Sequence, residues 1–355
     1  MDKNKKIGFA VIGYGGMGSW HASTCADDFK DTAELIGIYD IRPERRAAAE
    51  AEGIHAFSSR EELLADERID LVTVATPNDV HKEIAIAAMA AGKNVISEKP
   101  VALSQEELEE MIAASKKYGK LFTVHQNRRW DPDFKCVQKI LADNELGKVF
   151  RIESRVQGSR GIPGDWRNQK AHGGGMVLDW GIHLLDQALR IGEGRKLISV
   201  YAELTNVTNE ECDDGFRVTL IFEGDLSMYV EVTTSNFIEL PRWYILGENG
   251  SAVINDWDLN GEIVKVSDWE NRDAVPILAG VGLTKTMAPR REDTIRTEDL
   301  PWADSDIRDF YRNVMAVIEG KAESRIKLDE VARVMRLMEA IFESTEKKQV
   351  IKFEA

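Results

Sequence analysis

The chain has 355 residues, 43% of them hydrophobic, with 46 lysines and arginines against 61 aspartates and glutamates and a net charge of −15. That length exceeds what one core usually serves and predicts two domains. The acidic balance repels a phosphate backbone and argues against nucleic acid as a partner, and no apolar run reaches the roughly 18 residues that would make a membrane one.

The chain starts with a basic stretch, Lys3 to Lys6, followed by the apolar Ile7 to Ile12. It imitates a signal peptide, but the apolar part is too short and runs straight into glycines, so it reads as a first strand. Three scattered cysteines, Cys25, Cys136 and Cys212, fit neither a disulfide framework nor a zinc site. They read as buried thiols of a reducing cytoplasm.

From Lys6 to Val124 short β-branched runs alternate with helical periods. Strands are predicted at Ile7 to Ile12, Ala33 to Tyr39, Ile69 to Ala75, Asn94 to Ser97 and Leu121 to Val124. Helices are predicted at Met17 to Asp27, Pro43 to Glu52, Val80 to Ala91 and Ser104 to Tyr118, with Ser104 and Glu107 as a capping box. Such alternation implies a doubly wound parallel sheet, and ligands of such sheets bind beyond the carboxyl ends of the strands.

The first of those ends is the most informative. Gly13, Tyr14, Gly15, Gly16, Met17 and Gly18 follow the first strand with the G-x-G-x-x-G spacing of a dinucleotide turn. The first glycine permits the tight turn, the second lets backbone approach a pyrophosphate, and the third lets the helix pack on the sheet. The phosphates would face free amides at the helix start. Asp40, 22 residues beyond Gly18, stands where a carboxylate takes the adenosine ribose hydroxyls, with Ile41 and Arg42 beside it. A carboxylate there favours NAD over NADP, and Arg42, Arg45 and Arg46 weaken that preference. Two more strand ends complete the cofactor side: Thr76, Pro77 and Asn78, with His81 on the next helix, and Glu98, Lys99 and Pro100.

After His125 a polar, aromatic link from Gln126 to Pro132 leads into a helix ending near Asn144, which divides the chain into residues 1–125 and 126–355. Antiparallel strands are predicted at Val149 to Gln157, Leu197 to Leu204, Phe216 to Phe222, Leu226 to Thr233, Trp243 to Leu246, Ser251 to Asp256 and Ile263 to Val266. One face of that sheet is left open, which points to a homo-oligomer, a dimer or tetramer. Asn271 to Pro301 reads as a long irregular, basic loop. Helices at Asp304 to Glu319 and Leu328 to Thr345, and a strand at Val350 to Phe353, close the chain.

The chemistry concentrates in Gly173 to Asp186. If Met176 to Ile191 is one helix, Asp179 and His183 are four apart on one face, a carboxylate beside an imidazole, as a proton acceptor near neutral pH requires. Lys99, at the end of a cofactor-side strand, has an ammonium that can stabilise a developing alkoxide. Trp130, Trp166 and Trp180 offer apolar platforms for a sugar ring, and Asn127, Arg128, Asp165 and Arg167 offer hydrogen bonds to its hydroxyls.

Gly13 to Gly18, Glu98-Lys99-Pro100, Asn127 to Trp130, Asp165-Trp166-Arg167 and Gly173 to Asp186 together resemble the motifs of the glucose-fructose oxidoreductase / inositol dehydrogenase / MocA family. The resemblance implies an α/β protein: an N-terminal Rossmann domain and a C-terminal α/β domain with an open, mostly antiparallel sheet. It also implies hydride transfer between a ring carbon of a small-molecule sugar or cyclitol and a nicotinamide. By matching motif, His183 resembles the general base, Asp179 its partner and Lys99 the residue that binds the reacting hydroxyl. Trp166 and Arg167 resemble the pair against the cofactor, and Pro100 resembles a proline after a cis peptide. Two rival readings are glycoside cleavage through transient oxidation with NAD kept bound, and a sugar-sensing regulator without turnover.

Overall fold

Every residue of β1 (Ile7–Ile12) is buried, as a central strand covered on both faces demands. The computed structural model of the chain describes residues 6–271 and 275–353, so Lys3 to Lys5 and positions 272–274 of the predicted loop lie outside the described residues. After β1 come α1 (Gly16–Asp28), β2 (Ala33–Tyr39), α2 (Pro43–Ala51), α3 (Arg60–Ala65), β3 (Leu71–Val74), α4 (His81–Ala90), β4 (Asn94–Ser97), α5 (Gln105–Tyr118) and β5 (Phe122–Val124). The strands pair in parallel in the order β2-β1-β3-β4-β5. A lone bridge from Ile38 to Ala56 lies outside β2, where the third strand of a 3-2-1-4-5-6 doubly wound sheet would run.

Local chemistry explains the helix ends. Ser104 accepts the Glu107 N–H at 3.2 Å, and the Glu107 carboxylate reaches back to the Leu103 N–H at 3.0 Å. Helix α3 was not among the predicted helices, although Ser59 and Glu62 carry the same cap signal and bond at 3.1 Å. In the glycine turn, Gly13 has φ +93°, and a Cβ on Gly18 would lie 1.8 Å from the Gly13 carbonyl oxygen. A Cβ on Gly15 or Gly16 would meet nothing within 4 Å.

The rest of the chain contains α6 (Pro132–Asp143), β6 (Val149–Gln157), α7 (Ile182–Ile191), β7 (Leu197–Thr205), β8 (Gly215–Phe222), β9 (Leu226–Thr233), β10 (Trp243–Gly247), β11 (Gly250–Ile254) and β12 (Gly261–Val266). Then come β13 (Ile277–Ala279), β14 (Gly282–Thr284), β15 (Ile295–Glu298), α8 (Arg308–Ile318), α9 (Leu328–Lys347) and β16 (Ile351–Lys352). Nine strands form one sheet in the order β15-β12-β11-β10-β6-β9-β8-β7-β16. All its pairs are antiparallel except β6 with β9. The segment predicted as irregular therefore holds the hairpin β13-β14 and an edge strand, β15, which extends the sheet by pairing with β12. Its alternation was too short to register as strand.

Helices α7 and α9 cover one face of this sheet. On the other face a cross-strand row of Tyr201, Thr219, Tyr229, Glu153, Tyr244, Val253 and Glu262 faces away from that core. Helix α8 returns to the first sheet, where Thr32 bonds the Met315 sulfur at 3.3 Å. Among the described residues no helix is long and apolar enough to cross a membrane, and the three cysteines are free and buried.

The glycine contacts separate two roles. Gly18→Ala must displace backbone, an overpacking of about 1–3 kcal/mol that lowers the melting temperature by roughly 3–10 °C. Gly15→Ala meets open space and leaves the melting temperature within about 1 °C of the parent. Differential scanning calorimetry of the two variants checks the contrast.

Candidate active site

Lys99 leaves the sheet just after β4, its N–H held by the Glu98 carboxylate at 3.0 Å and its peptide to Pro100 in the cis form. Its ammonium donates to the Asp179 carbonyl at 2.9 Å and to Asp179 Oδ1 at 3.0 Å, with both side chains largely buried. Arg167 Nε lies 3.3 Å from the other oxygen, Asp179 Oδ2. Burial pushes the Asp179 carboxyl up, but the Lys99 and Arg167 charges outweigh it and hold the group below its usual range.

The backbone around Asp179 differs from the predicted single helix. Gly175 has φ +107°, and a Cβ there would strike Asp213 Oδ1 at 2.2 Å. Asp213, between β7 and β8, caps the helix that follows: its carbonyl accepts Met176 N–H at 3.0 Å and its Oδ2 accepts Val177 N–H at 2.8 Å. Val177–Gly181 is a turn of π-helix, and α7 continues from Ile182. The wider π turn breaks the four-residue alignment. Asp179 consequently makes no hydrogen bond to His183 among the described residues, and its carboxylate serves Lys99 and Arg167 instead. Asp186, a turn further on, is bound by Arg129 at 2.6 and 2.7 Å.

His183 is 4% exposed, and its Nδ1 is buried without a hydrogen-bond partner among the described residues. Its ring meets Trp180 edge-on at 6.3 Å. Burial, then the positive charges of Lys99 and Arg128, push the imidazole well below its ordinary value, with Glu98 opposing them. His183 is therefore neutral at physiological pH.

On the nucleotide side, Asp40 is buried at the tip of β2. Its Oδ2 accepts the Tyr14 N–H at 2.7 Å and its Oδ1 the Arg42 N–H at 2.9 Å. This anchors the glycine turn to the residue that would take the ribose hydroxyls. The Tyr14 hydroxyl turns away to Glu52 at 2.8 Å, while Met17, Ile41 and Arg42 keep exposed side chains. The open space above Gly15 and Gly16 and the backbone amides at the start of α1 fit a pyrophosphate, and Thr76 and Pro77 border the same edge of the sheet.

Four residues predicted to contact ligands have their polar groups occupied within the protein. The Asn78 amide bonds the Gly173 carbonyl at 3.0 Å. His81 is buried between the carbonyls of Thr76 and Pro100, at 2.9 and 3.0 Å, and so ties two loops together. Glu98 is buried under His21 and His125, each at 2.8 Å. Asp165 gives one oxygen to Arg167 N–H at 2.9 Å and the other to Arg167 Nη1 at 2.8 Å.

Among the proposed platforms, Trp130 is corrected: it is 6% exposed, packed edge-on against Phe310, and offers no free face. Asn127 and Arg128 are half-buried. The Arg128 guanidinium lies 4.3 Å from the Trp180 ring and 5.4 Å from Trp257, and Arg167 lies over Trp166 at 4.6 Å. Trp257, Asp213, His21 and Tyr311 were missed. Trp257 sits in a hairpin tip and Asp213 in a loop, and neither lies near the motifs in sequence.

Two family profiles match the chain: "Oxidoreductase family, NAD-binding Rossmann fold" over residues 7–126 and "GFO/IDH/MocA C-terminal domain" over residues 134–253. The chain is 28% identical to the scyllo-inositol 2-dehydrogenase (NADP(+)) of Bacillus subtilis over 98% of its own length and 96% of that protein's. It is 31% identical to an uncharacterized oxidoreductase of Schizosaccharomyces pombe, with 84% and 85% covered. Its fold matches the crystal structure of an NAD-binding protein from Listeria innocua with a TM-score of 0.95 and 45% identity, over 98% of this chain and 100% of that one.

Burial pushes the Asp213 carboxyl up from 3.8 to about 7, against the backbone N–H groups that pull it down. The folded state then holds this proton more tightly than the unfolded chain, so the contribution is full below 3.8 and lost as pH rises through about 7. Asp213→Asn keeps an acceptor and does not titrate, so its melting temperature gains on the parent's as pH rises from about 4 to about 7. A thermal melt series across that range checks the sign.

Proposed function

Because the chain belongs to the GFO/IDH/MocA oxidoreductase family, we propose that it is an NAD-dependent dehydrogenase for a secondary ring hydroxyl of a sugar, glycoside or cyclitol. The observation that carries this reading is the Lys99 ammonium clamped on Asp179 at the head of the helix bearing a neutral His183. Gly13 to Gly18, Asp40, Thr76, Pro77, Trp166 and Arg167 are the residues that would hold the dinucleotide. Bound NAD supplies the hydride acceptor. Asp40, its carboxylate set at the tip of β2, supports NAD over NADP, since it would repel a 2′-phosphate.

In the oxidation direction, the Lys99 ammonium donates a hydrogen bond to the reacting hydroxyl oxygen and stabilises the negative charge that grows there. An imidazole nitrogen of His183 takes the hydroxyl proton, and burial and nearby cations keep that nitrogen free to accept it. Asp179, together with Arg167, holds Lys99 in place rather than orienting His183. Arg128 and Asn127 border the substrate, beside the Trp180 indole.

We assign residues 1–125 to nucleotide binding and 126–355 to substrate binding and self-association. The tyrosine-rich open face of the nine-stranded sheet supports a homo-oligomer. The buried free thiols support a reducing cytoplasm.

A panel of cyclitols, aldoses and glycosides, assayed with NAD and NADP in parallel through the absorbance of reduced nicotinamide, tests the proposal. Product from a cleaved glycoside with no reduced nicotinamide would favour the elimination reading instead. His183→Ala lowers kcat about 10²- to 10⁴-fold, and an unchanged kcat removes the assigned role. Because the imidazole is held below 6.5, the acid limb of kcat/KM for oxidation lies below pH 6.5, where protonation silences the base. A limb at or above the ordinary histidine value contradicts the assignment.

A further inference from the structure

Behind Lys99 lies a chain of buried polar groups that the reaction does not use. His21, on α1, and His125, after β5, are 0% exposed, Tyr311, on α8, is 1% and Glu98 is 5%. Tyr311 Oη lies 2.5 Å from His21 Nδ1, His21 Nε2 lies 2.8 Å from Glu98 Oε1, and His125 Nδ1 lies 2.8 Å from the same oxygen. The second oxygen, Glu98 Oε2, takes the Lys99 N–H at 3.0 Å.

Three donor atoms here fall within 4.8 Å of one another, as in a metal site. The distances favour protons over metal. Both nitrogen-to-oxygen separations are hydrogen-bond lengths, whereas tetrahedral zinc with bonds of about 2.0–2.1 Å spreads its donors to roughly 3.3 Å. Counting donors then fixes the tautomers. An ionised carboxylate only accepts, so His21 carries hydrogen on Nε2 and His125 on Nδ1. His125 Nε2 is buried without a partner, a site where a bare lone pair costs less than a stranded charged N–H. His21 Nδ1 is left to accept the Tyr311 hydroxyl.

We propose that Tyr311, His21 and His125 are positioning residues that hold Glu98 as a buried carboxylate, which in turn fixes the backbone of Lys99 under the reacting hydroxyl. The chain spans four elements, so the seat of α8 on the nucleotide-binding sheet is wired to the active-site lysine. This proposal rests on the dehydrogenase reading above, but its first test needs no turnover.

The full chain has six histidines, few enough to assign in an imidazole 15N correlation spectrum. At neutral pH the spectrum shows His125 neutral with hydrogen on Nδ1 and His21 neutral with hydrogen on Nε2. Tyr311→Phe, which keeps the ring and removes the hydroxyl, moves the His21 signals and leaves those of His183 in place. A protonated His125, the opposite tautomer, or a stoichiometric metal lost on His21→Ala overturns the proposal.

Kinetics supply the second test. Loss of one neutral hydrogen bond in Tyr311→Phe lowers kcat about fivefold, and loss of the charged acceptor in Glu98→Gln lowers it about 10- to 100-fold. KM for sugar and nucleotide stays within about twofold of the parent in both. A parental kcat in Tyr311→Phe overturns the positioning role even if Glu98→Gln does not fold. Undiminished turnover in His183→Ala with the stated tautomers intact sinks the dehydrogenase mechanism and spares the buried chain.

Discussion

Lys99 reaches out of one sheet and places its ammonium 2.9 Å from the Asp179 carbonyl and 3.0 Å from its carboxylate, at the head of the helix that lies on the other sheet. Much of the site follows from this pairing. It joins the strand-end loop that carries Glu98 and Pro100 to the turn that carries Trp180 and, one residue past that turn, to α7 with His183. Burial first, and the Lys99 and Arg128 charges after it, hold that imidazole well below its ordinary value.

The site stays together because each buried charge has a partner. Lys99 answers Asp179, Arg129 answers Asp186, and Glu98 sits between two histidines. Removing one member of such a set strands the other in a medium of low dielectric, which costs more than the pair contributes. The arrangement favours specificity of geometry over gross stability. Asp213 has no counter-charge among the described residues, and burial pushes its carboxyl up to about 7. Its carbonyl and carboxylate satisfy the first amides of a helix whose start, after Gly175, is too tight for any side chain.

The π turn at Val177–Gly181 is the place where periodicity misleads. Spacing of four predicts a carboxylate beside an imidazole. The extra residue in the turn hands that carboxylate to a lysine 80 positions away. Trp130 misleads in another way: an aromatic beside polar motif residues reads as a platform, while its burial against Phe310 depends on α8, which arrives late in the chain. Sequence spacing carries no information about which distant helix covers a ring.

Alternating β-branched runs and capped helices, the glycines at 13, 15 and 18 and the aspartate after the second strand are local or short-range patterns. They follow from backbone sterics, helix capping and hydrophobic periodicity, so the sequence by itself determined the parallel sheet, the dinucleotide turn and the mostly antiparallel second sheet. It also supplied Lys99 and His183 as chemically suited groups. Only the tertiary structure decided what those groups face: that Asp179 pairs with Lys99, that Asp213 caps the helix, that Trp257 stands beside Arg128, and that His21, His125 and Tyr311 meet on Glu98. Those contacts join residues tens to hundreds of positions apart. Long-range partners are chosen by packing and by the cost of leaving a buried polar group unpaired, and neither leaves a periodic trace along the chain.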